Sequence, residues 1–212
     1  MPTVKKSDFP PTLPGFETVN RYWDWRLQKV ASKILPGEFY VTRGNEIITT
    51  VLGSCVSACI RDTMTGVGGM NHFLLPLSND IVDNSQDFLT SAANRYGNFA
   101  MENMINTILS YGGSRKRLEV KLFGGSQIIS TMSNIGNTNI KFVYQYLKTE
   151  GFSILAEDLG GNNPRKVMYF PDTGKVKVKR IKELHNDTII KREKDYIHTL
   201  ETEPTVGEID LF

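Results

Sequence analysis

Continuous and alternating apolar positions predict strands around both cysteines of the chain. Ile47–Leu52 is an apolar, β-branched run that favours a buried strand. Residues 55–60 alternate between two faces, and residues 67–75 predict the returning strand after a polar turn. A helix over residues 56–61 fits the same letters, because short apolar runs do not separate the two states. We expect the two strands to form one hairpin.

Two longer stretches show the three-to-four spacing of an amphipathic helix. The first covers residues 91–109 and is followed by two glycines, and the second covers residues 138–150. Further strands are predicted at residues 38–44, 118–123, 154–158, 167–170 and 175–181. Strands and helices alternate without a strict βαβ rhythm. The pattern therefore predicts an α/β fold, a single-domain layered α/β sandwich with a mixed, largely antiparallel sheet.

The two ends of the chain differ from its middle. Residues 1–33 are interpreted as an N-terminal extension, proline-rich and partly disordered at first, with a short helix over residues 20–33. Residues 34–182 are interpreted as the main domain. Residues 183–212 are interpreted as a charged C-terminal tail, because a basic stretch there gives way to an acidic end that we expect to be mobile.

Composition excludes several classes of function. The net charge of +2 is too small to predict a nucleic-acid partner. No apolar run approaches the roughly 20 residues of a membrane span, and no apolar region follows the N-terminal lysines as in a signal peptide. Two cysteines four residues apart do not make a disulfide framework. We therefore expect a cytoplasmic protein.

A cysteine and a histidine are the candidates for chemistry. Cysteine catalysis needs a thiolate, a base for its proton, and donors for the oxyanion. His185 and His198 fall in the charged C-terminal region, whereas His72 lies in an apolar strand that is predicted to neighbour Cys55. If a histidine serves Cys55, it is His72.

Residues close to this pair offer supporting groups. Gly53 and Ser54 precede the cysteine, and a turn there would expose backbone N–H groups to an oxyanion. Thr49 or Thr50, on the preceding strand, could orient the imidazole through a hydroxyl. Asn71, beside the histidine, is a candidate wall of the substrate groove.

Structural alternatives stand beside this interpretation. Free cysteine is among the most buried residue types, so Cys59 is interpreted as a core residue, and Cys55 and His72 could be core residues too. Cys-x3-Cys with one histidine lacks a fourth ligand for tetrahedral zinc. No metal is predicted.

Several separate motifs resemble one family. "LGSCVSACIRD" followed by "GGMNHFLLP" is similar to the signature of CheD, the chemoreceptor glutamine deamidase of bacterial chemotaxis. The likeness continues in order through "RYGNFAME", "KLFGGSQ", "IGNTNIKFVYQYL" and "EDLGGNNPRKVMYFPDTGKV". The resemblance implies that Cys55, His72 and Thr49 form a catalytic triad, and it favours Thr49 over Thr50. It also implies hydrolysis of glutamine side chains on chemoreceptor cytoplasmic domains, with no cofactor.

Two other functions fit the same residues. The resemblance implies binding of a CheC-type phosphatase, so the chain could act as a non-enzymatic adaptor in chemotaxis. A receptor methylesterase or a cysteine peptidase would use the same attack of a thiolate on a carbonyl carbon.

Overall fold

The computed structural model describes residues 4–75, 92–128, 135–181 and 187–202. Ten strands, three α-helices and two short 3-10 helices are found within these ranges. The strands are β1 Asn20–Asp24, β2 Lys29–Lys33, β3 Phe39–Thr42, β4 Ile47–Leu52, β5 Val56–Asp62, β6 Gly68–Asn71, β7 Leu118–Gly124, β8 Ile154–Leu159, β9 Arg165–Phe170 and β10 Lys175–Arg180. The helices are α1 Ala92–Ser110, α2 Ile135–Thr149 and α3 Asp187–Thr202.

The strands form two five-stranded sheets. One has the order β1-β2-β4-β9-β10, and the other has the order β3-β6-β5-β7-β8. The pairs β2–β4 and β7–β8 are parallel, whereas the other pairings in the described ranges are antiparallel. The predicted α/β fold with mixed, largely antiparallel pairing is confirmed. Its division into two sheets is not evident from the pattern, since β4 and β5 adjoin in sequence but lie in different sheets.

The helix predicted over residues 20–33 is wrong. This segment is the antiparallel hairpin β1–β2, in which Asn20 pairs with Lys33 and Asp24 with Lys29. The Asp24 carboxylate accepts the N–H groups of the two residues at the turn, Arg26 and Leu27, and so competes with a helix. Because β2 also pairs in parallel with β4, the hairpin completes the first sheet.

The C-terminal segment contains a helix that packs on the domain. Residues 187–202 were expected to be a charged tail, but they form α3, in which Glu193 and Ile197 are buried. The lysines of β10 are exposed along the edge of the first sheet, as expected for a solvated edge strand. Residues 203–212 lie outside the described residues. The predicted domain boundaries stay predictions, and elements on either side of them contact the core.

One large hydrophobic core joins the sheets and helices. It contains Cys55, Cys59 and Phe73, and it extends to Ile197 of α3. Phe16 contacts the core from the N-terminal side, with its ring centroid 5.4 Å from that of Phe39. The segment predicted to be a partly disordered leader thus contributes a buried side chain at its end.

Candidate active site

The turn Gly53-Ser54-Cys55 connects β4 to β5 and passes from one sheet to the other. All three of its carbonyl groups accept hydrogen bonds from neighbouring segments. The donors are the Ser126 amide to Gly53 (2.7 Å), the Asn139 side-chain amide to Ser54 (2.9 Å), and the Gly125 amide to Cys55 (2.7 Å). The turn is therefore fixed from its carbonyl side.

The predicted glycine turn "FGGSQ" provides part of this support. Gly124 and Gly125 both have positive φ, 113° and 69°. A Cβ on Gly124 would lie 2.1 Å from the Cys55 carbonyl oxygen. Only glycine permits this backbone conformation and this close approach.

The three amide groups of the turn point the other way, toward one carboxylate. Glu193 of α3 accepts the N–H groups of Gly53 (3.1 Å), Ser54 (3.2 Å) and Cys55 (3.4 Å). The Ser54 hydroxyl donates to the same carboxylate at 2.5 Å. Successive backbone N–H groups that converge in this way form an anion-binding nest. Gly53 and Ser54, predicted as oxyanion donors, contribute two of the three amides of this nest.

Gly53 is required by close approach. A Cβ at this position would lie 2.6 Å from Glu193 Oε1 and 2.3 Å from Ile128 Cδ1. Its φ is not positive, so the turn conformation alone does not require glycine. A side chain here would close the nest.

His72 is buried and is fixed by backbone hydrogen bonds on the segment that pairs with β5. Its amide donates to the Glu38 carbonyl (2.9 Å), and its carbonyl accepts the Gly37 amide (2.7 Å). Val56 and Phe73 form a two-way backbone bridge, with both N–O distances 3.0 Å. In an antiparallel bridge the two preceding residues lie diagonally across from each other. Cys55 and His72 therefore lie on neighbouring segments, as in the predicted hairpin.

The hydrogen bonds of His72 define its tautomer. Thr50 Oγ1 lies 2.8 Å from His72 Nδ1 and 2.8 Å from the Ile34 carbonyl oxygen. A hydroxyl has one hydrogen, and the carbonyl can only accept it, so Nδ1 must carry the proton that Thr50 accepts. Nε2 is then unprotonated. It is buried and has no hydrogen-bond partner within the described ranges.

The predicted contact between Thr49 and His72 is not present. The Thr49 hydroxyl instead donates to the Val167 carbonyl at 2.8 Å, and the next residue, Thr50, contacts the imidazole. Successive side chains of a strand point to opposite faces, so a difference of one residue decides which threonine meets the histidine. The choice between the two threonines, left open by the residues themselves, falls on Thr50 in this structure.

Asn71 was predicted to line the substrate groove, and this is corrected too. Its side chain is buried, accepts the Ala58 amide (2.8 Å), and donates to the Ala100 carbonyl (3.2 Å) and the Met101 sulfur (3.3 Å). These contacts tie β6 to β5 and α1. They occupy the amide group, so Asn71 has a structural role.

The two cysteines have different surroundings. Cys59 lies within β5, between Met70 and Lys121 of the flanking strands, and is buried in the core. Cys55 is also fully buried, but its amide belongs to the nest. The prediction that Cys59 is a core residue is confirmed.

The surroundings of Cys55 and His72 favour the uncharged form of both side chains. Burial raises the pKa of the Cys55 thiol well above its ordinary value, and the charge and the hydrogen-bonding carboxylate of Glu193 raise it further. Burial lowers the pKa of His72 to about 3. Both groups are therefore neutral at pH 7 in this structure.

Sequence reasoning missed Glu193. It lies 138 residues from Cys55 and carries no local motif. The only available signal was the spacing of Ile189, Glu193 and Ile197 on one helical face. The helix and the domain together line a cleft that reaches His72, formed by Lys33, Ile34, Leu35, Pro36, Thr50, Val51, His72, Ile189, Arg192 and Glu193.

In the part of the chain that the structure describes, no three His, Cys, Asp or Glu side chains are grouped so that they could hold a metal ion. None of the helices found there has the length and apolar character needed to cross a bilayer.

Comparison with known proteins gives the family. A family model described as CheD chemotactic sensory transduction matches residues 74–180. A relative from Halorhodospira halophila is 51% identical over 96% of this chain and 94% of its own length. The chain belongs to the CheD family. A second CheD relative, from Hahella chejuensis, is 50% identical over 98% of each chain, and both are named probable chemoreceptor glutamine deamidase CheD.

Family membership confirms the resemblance seen in the motifs. The range matched by the CheD model begins after Cys55 and His72, but it includes Gly124, Gly125 and Asn139, which fix the cysteine turn. The two relatives align over nearly the whole chain. This CheD chain therefore matches its relatives well beyond the family model.

Proposed function

We propose that this protein is a cysteine-dependent protein-glutamine deamidase that converts glutamines of chemoreceptor cytoplasmic domains to glutamates. The names of its CheD relatives support the reaction and the class of substrate. The observation that carries the proposal is the nest at Gly53, Ser54 and Cys55. Its donors hold the end of a glutamyl side chain next to the thiol, which is where the substrate amide must lie.

The first step forms a thioester. His72 Nε2 takes the proton of the Cys55 thiol, and the thiolate attacks the carboxamide carbon of the substrate. The oxyanion that forms accepts hydrogen bonds from the nest, which were aligned before the reaction. The imidazolium then donates its proton to the amide nitrogen, the C–N bond breaks, and ammonia leaves.

The second step hydrolyses the thioester. His72 Nε2 removes a proton from water, and the resulting hydroxide attacks the thioester carbon. The C–S bond breaks, the thiolate leaves, and the product is a glutamate. Thr50 supports both steps by accepting from Nδ1, since this keeps Nε2 as the basic nitrogen and stabilises the imidazolium. Side chains and backbone amides supply every group, so the proposal includes no cofactor. We also propose a cytoplasmic location, because the substrate domains are there.

The test uses a chemoreceptor cytoplasmic fragment incubated with wild type and with Cys55→Ala. The expected result is ammonia release and a mass gain of about one dalton at particular glutamines with wild type only. Cys59→Ala is the matched control and is expected to keep most of the activity. Activity of Cys55→Ala together with loss in Cys59→Ala would contradict the assignment of the nucleophile.

The same assay separates the alternatives. A receptor methylesterase would release methanol from a methylated fragment and no ammonia. A non-enzymatic adaptor would bind a CheC-type phosphatase while the fragment stays unchanged. Binding of such a phosphatase also stays part of the proposal for an active enzyme, and a pull-down with Cys55→Ala would measure it without turnover.

A further inference from the structure

The helix α3 covers the nucleophile through one face. Glu193 is buried in the nest, Ile197 lies in the core, and Ile189 lines the cleft to His72. The Tyr196 hydroxyl lies 2.3 Å from where a Cβ on Gly37 would be, and it also contacts the Tyr96 hydroxyl of α1. These positions are spaced as i−4, i, i+3 and i+4 around Glu193. The helix therefore inserts one carboxylate between apolar and aromatic anchors.

The group that the nest binds is the carboxylate of a glutamate side chain. The side chain of glutamate is the product that a glutamine deamidase makes. The Glu193 carboxylate accepts hydrogen bonds from all three N–H donors of the nest and from the Ser54 hydroxyl, and its charge raises the pKa of the Cys55 thiol. No basic side chain of the described residues forms an ion pair with Glu193, so the turn itself is what holds the charge.

We propose that the surface beneath α3 is the binding site for the substrate helix, and that α3 occupies it as an intramolecular product mimic through Glu193. This inference rests on the proposed function and adds the shape of the substrate. The fitting partner is a helix with a glutamine flanked by aliphatic or aromatic residues at positions i−4, i+3 and i+4. Substrate must displace α3 before Cys55 can react.

The first test measures access to Cys55 without any substrate. Full-length wild type, Glu193→Ala and Asp195→Ala are treated with iodoacetamide, and alkylation of each cysteine is followed by peptide mass spectrometry. Asp195 is an exposed acid on the same helix, so its replacement changes the charge equally without touching the nest. We expect faster alkylation of Cys55 in Glu193→Ala only, while Cys59, buried in β5, reacts slowly in all three proteins.

The second test measures competition with substrate. The apparent dissociation constant is the intrinsic one divided by the fraction of molecules in the competent state, so a site that is open in about a tenth of molecules binds about tenfold more tightly once α3 is released. We expect kcat/KM for the receptor fragment to rise by about tenfold in Glu193→Ala, through KM, with Asp195→Ala unchanged. A fall in kcat in Glu193→Ala would overturn the proposal and make Glu193 part of the catalytic machinery.

The third test turns the occupant into a substrate. Glu193→Gln places a carboxamide where the carboxylate lies, so the enzyme should deamidate its own helix. We expect a gain of about one dalton at position 193, first order and independent of protein concentration, and absent from the double variant Glu193→Gln, Cys55→Ala. No gain in a protein that still deamidates the receptor fragment would overturn the proposal.

The outcomes separate this inference from the proposed function. Faster alkylation of Cys55 in Glu193→Ala, with no deamidation by any variant, supports occupancy of the site by α3 and refutes deamidation. Deamidation by wild type, with unchanged alkylation of Cys55 and unchanged KM in Glu193→Ala, supports the deamidase function. It refutes the proposal that α3 occupies the substrate site.

Discussion

Replacing Thr50 by valine removes the hydroxyl that accepts from His72 Nδ1 and keeps the shape of the side chain. Thr49→Val is the matched control on the same strand. Each variant loses a buried 2.8 Å hydrogen bond from a hydroxyl to a backbone carbonyl, but only Thr50→Val also loses the contact with His72. Both are therefore expected to lower the free energy of unfolding by about 1–3 kcal/mol. Only Thr50→Val should also impair the chemistry.

The expected loss of rate follows from the charge on the imidazolium. A hydrogen bond to a charged group is worth about 1.5–3 kcal/mol. Since about 1.4 kcal/mol is a factor of ten, kcat of Thr50→Val should fall by about 10- to 150-fold. KM should change little, because the lost contact does not touch the substrate. Thr50→Ser keeps a hydroxyl and should recover most of the rate.

The assay is ammonia release from the receptor fragment at saturating substrate, with urea denaturation of each variant alongside. Equal loss of kcat in Thr49→Val and Thr50→Val would refute the argument from the tautomer. So would an unchanged kcat in Thr50→Val, or failure of Thr50→Ser to recover activity at restored stability.

Three further predictions concern the nucleophile, the histidine and the glycine turn. Cys55→Ala should abolish deamidation, whereas Cys59→Ala should keep most of it and lose some stability, as measured by ammonia release and urea denaturation. For His72, the folded pKa is about 3 and the ordinary value is 6.5, so the unfolded chain binds a proton that the folded chain does not. Stability should therefore fall as the pH decreases from about 6.5 toward 3, and at pH 4.5 the loss relative to pH 7 should be larger in wild type than in His72→Gln by roughly 2–3 kcal/mol. Gly124→Ala should cost about 3 kcal/mol or more and reduce activity, because its Cβ would meet the Cys55 carbonyl. Gly66→Ala, also at positive φ but in open space, should cost only about 1 kcal/mol, and equal losses in thermal or urea denaturation would contradict the role given to Gly124.

Local patterns predicted much of the fold. The runs that became β4, β7, α1 and α2 were predicted to within a few residues, since their apolar periodicity reflects the face each one buries. The hairpin of residues 20–33 was mistaken for a helix because its aromatic and charged residues alternate weakly. The Asp24 turn that decides the matter depends on a single side chain.

The candidate site was predicted only in part, for a related reason. Cys55, His72 and the nest residues Gly53 and Ser54 are close in sequence, so motifs and chemistry could bring them together. The orientation of Thr50 depends on which face of β4 meets His72, and this is fixed by pairing with other strands. Glu193 belongs to α3, and no local sequence motif predicts where this helix packs on the domain.

The supports of the cysteine turn have a consequence for how the protein folds. Its carbonyls are bonded to residues about 70 to 85 positions later, in Gly125, Ser126 and Asn139. Contacts of such high sequence separation require closure of long loops and slow folding down. We therefore expect the nest to assemble late, after β7 and α2 have docked. In a chain paused before that stage we expect no formed nest, so the proposed nucleophile and its proposed oxyanion donors would come together only once most of the protein has folded.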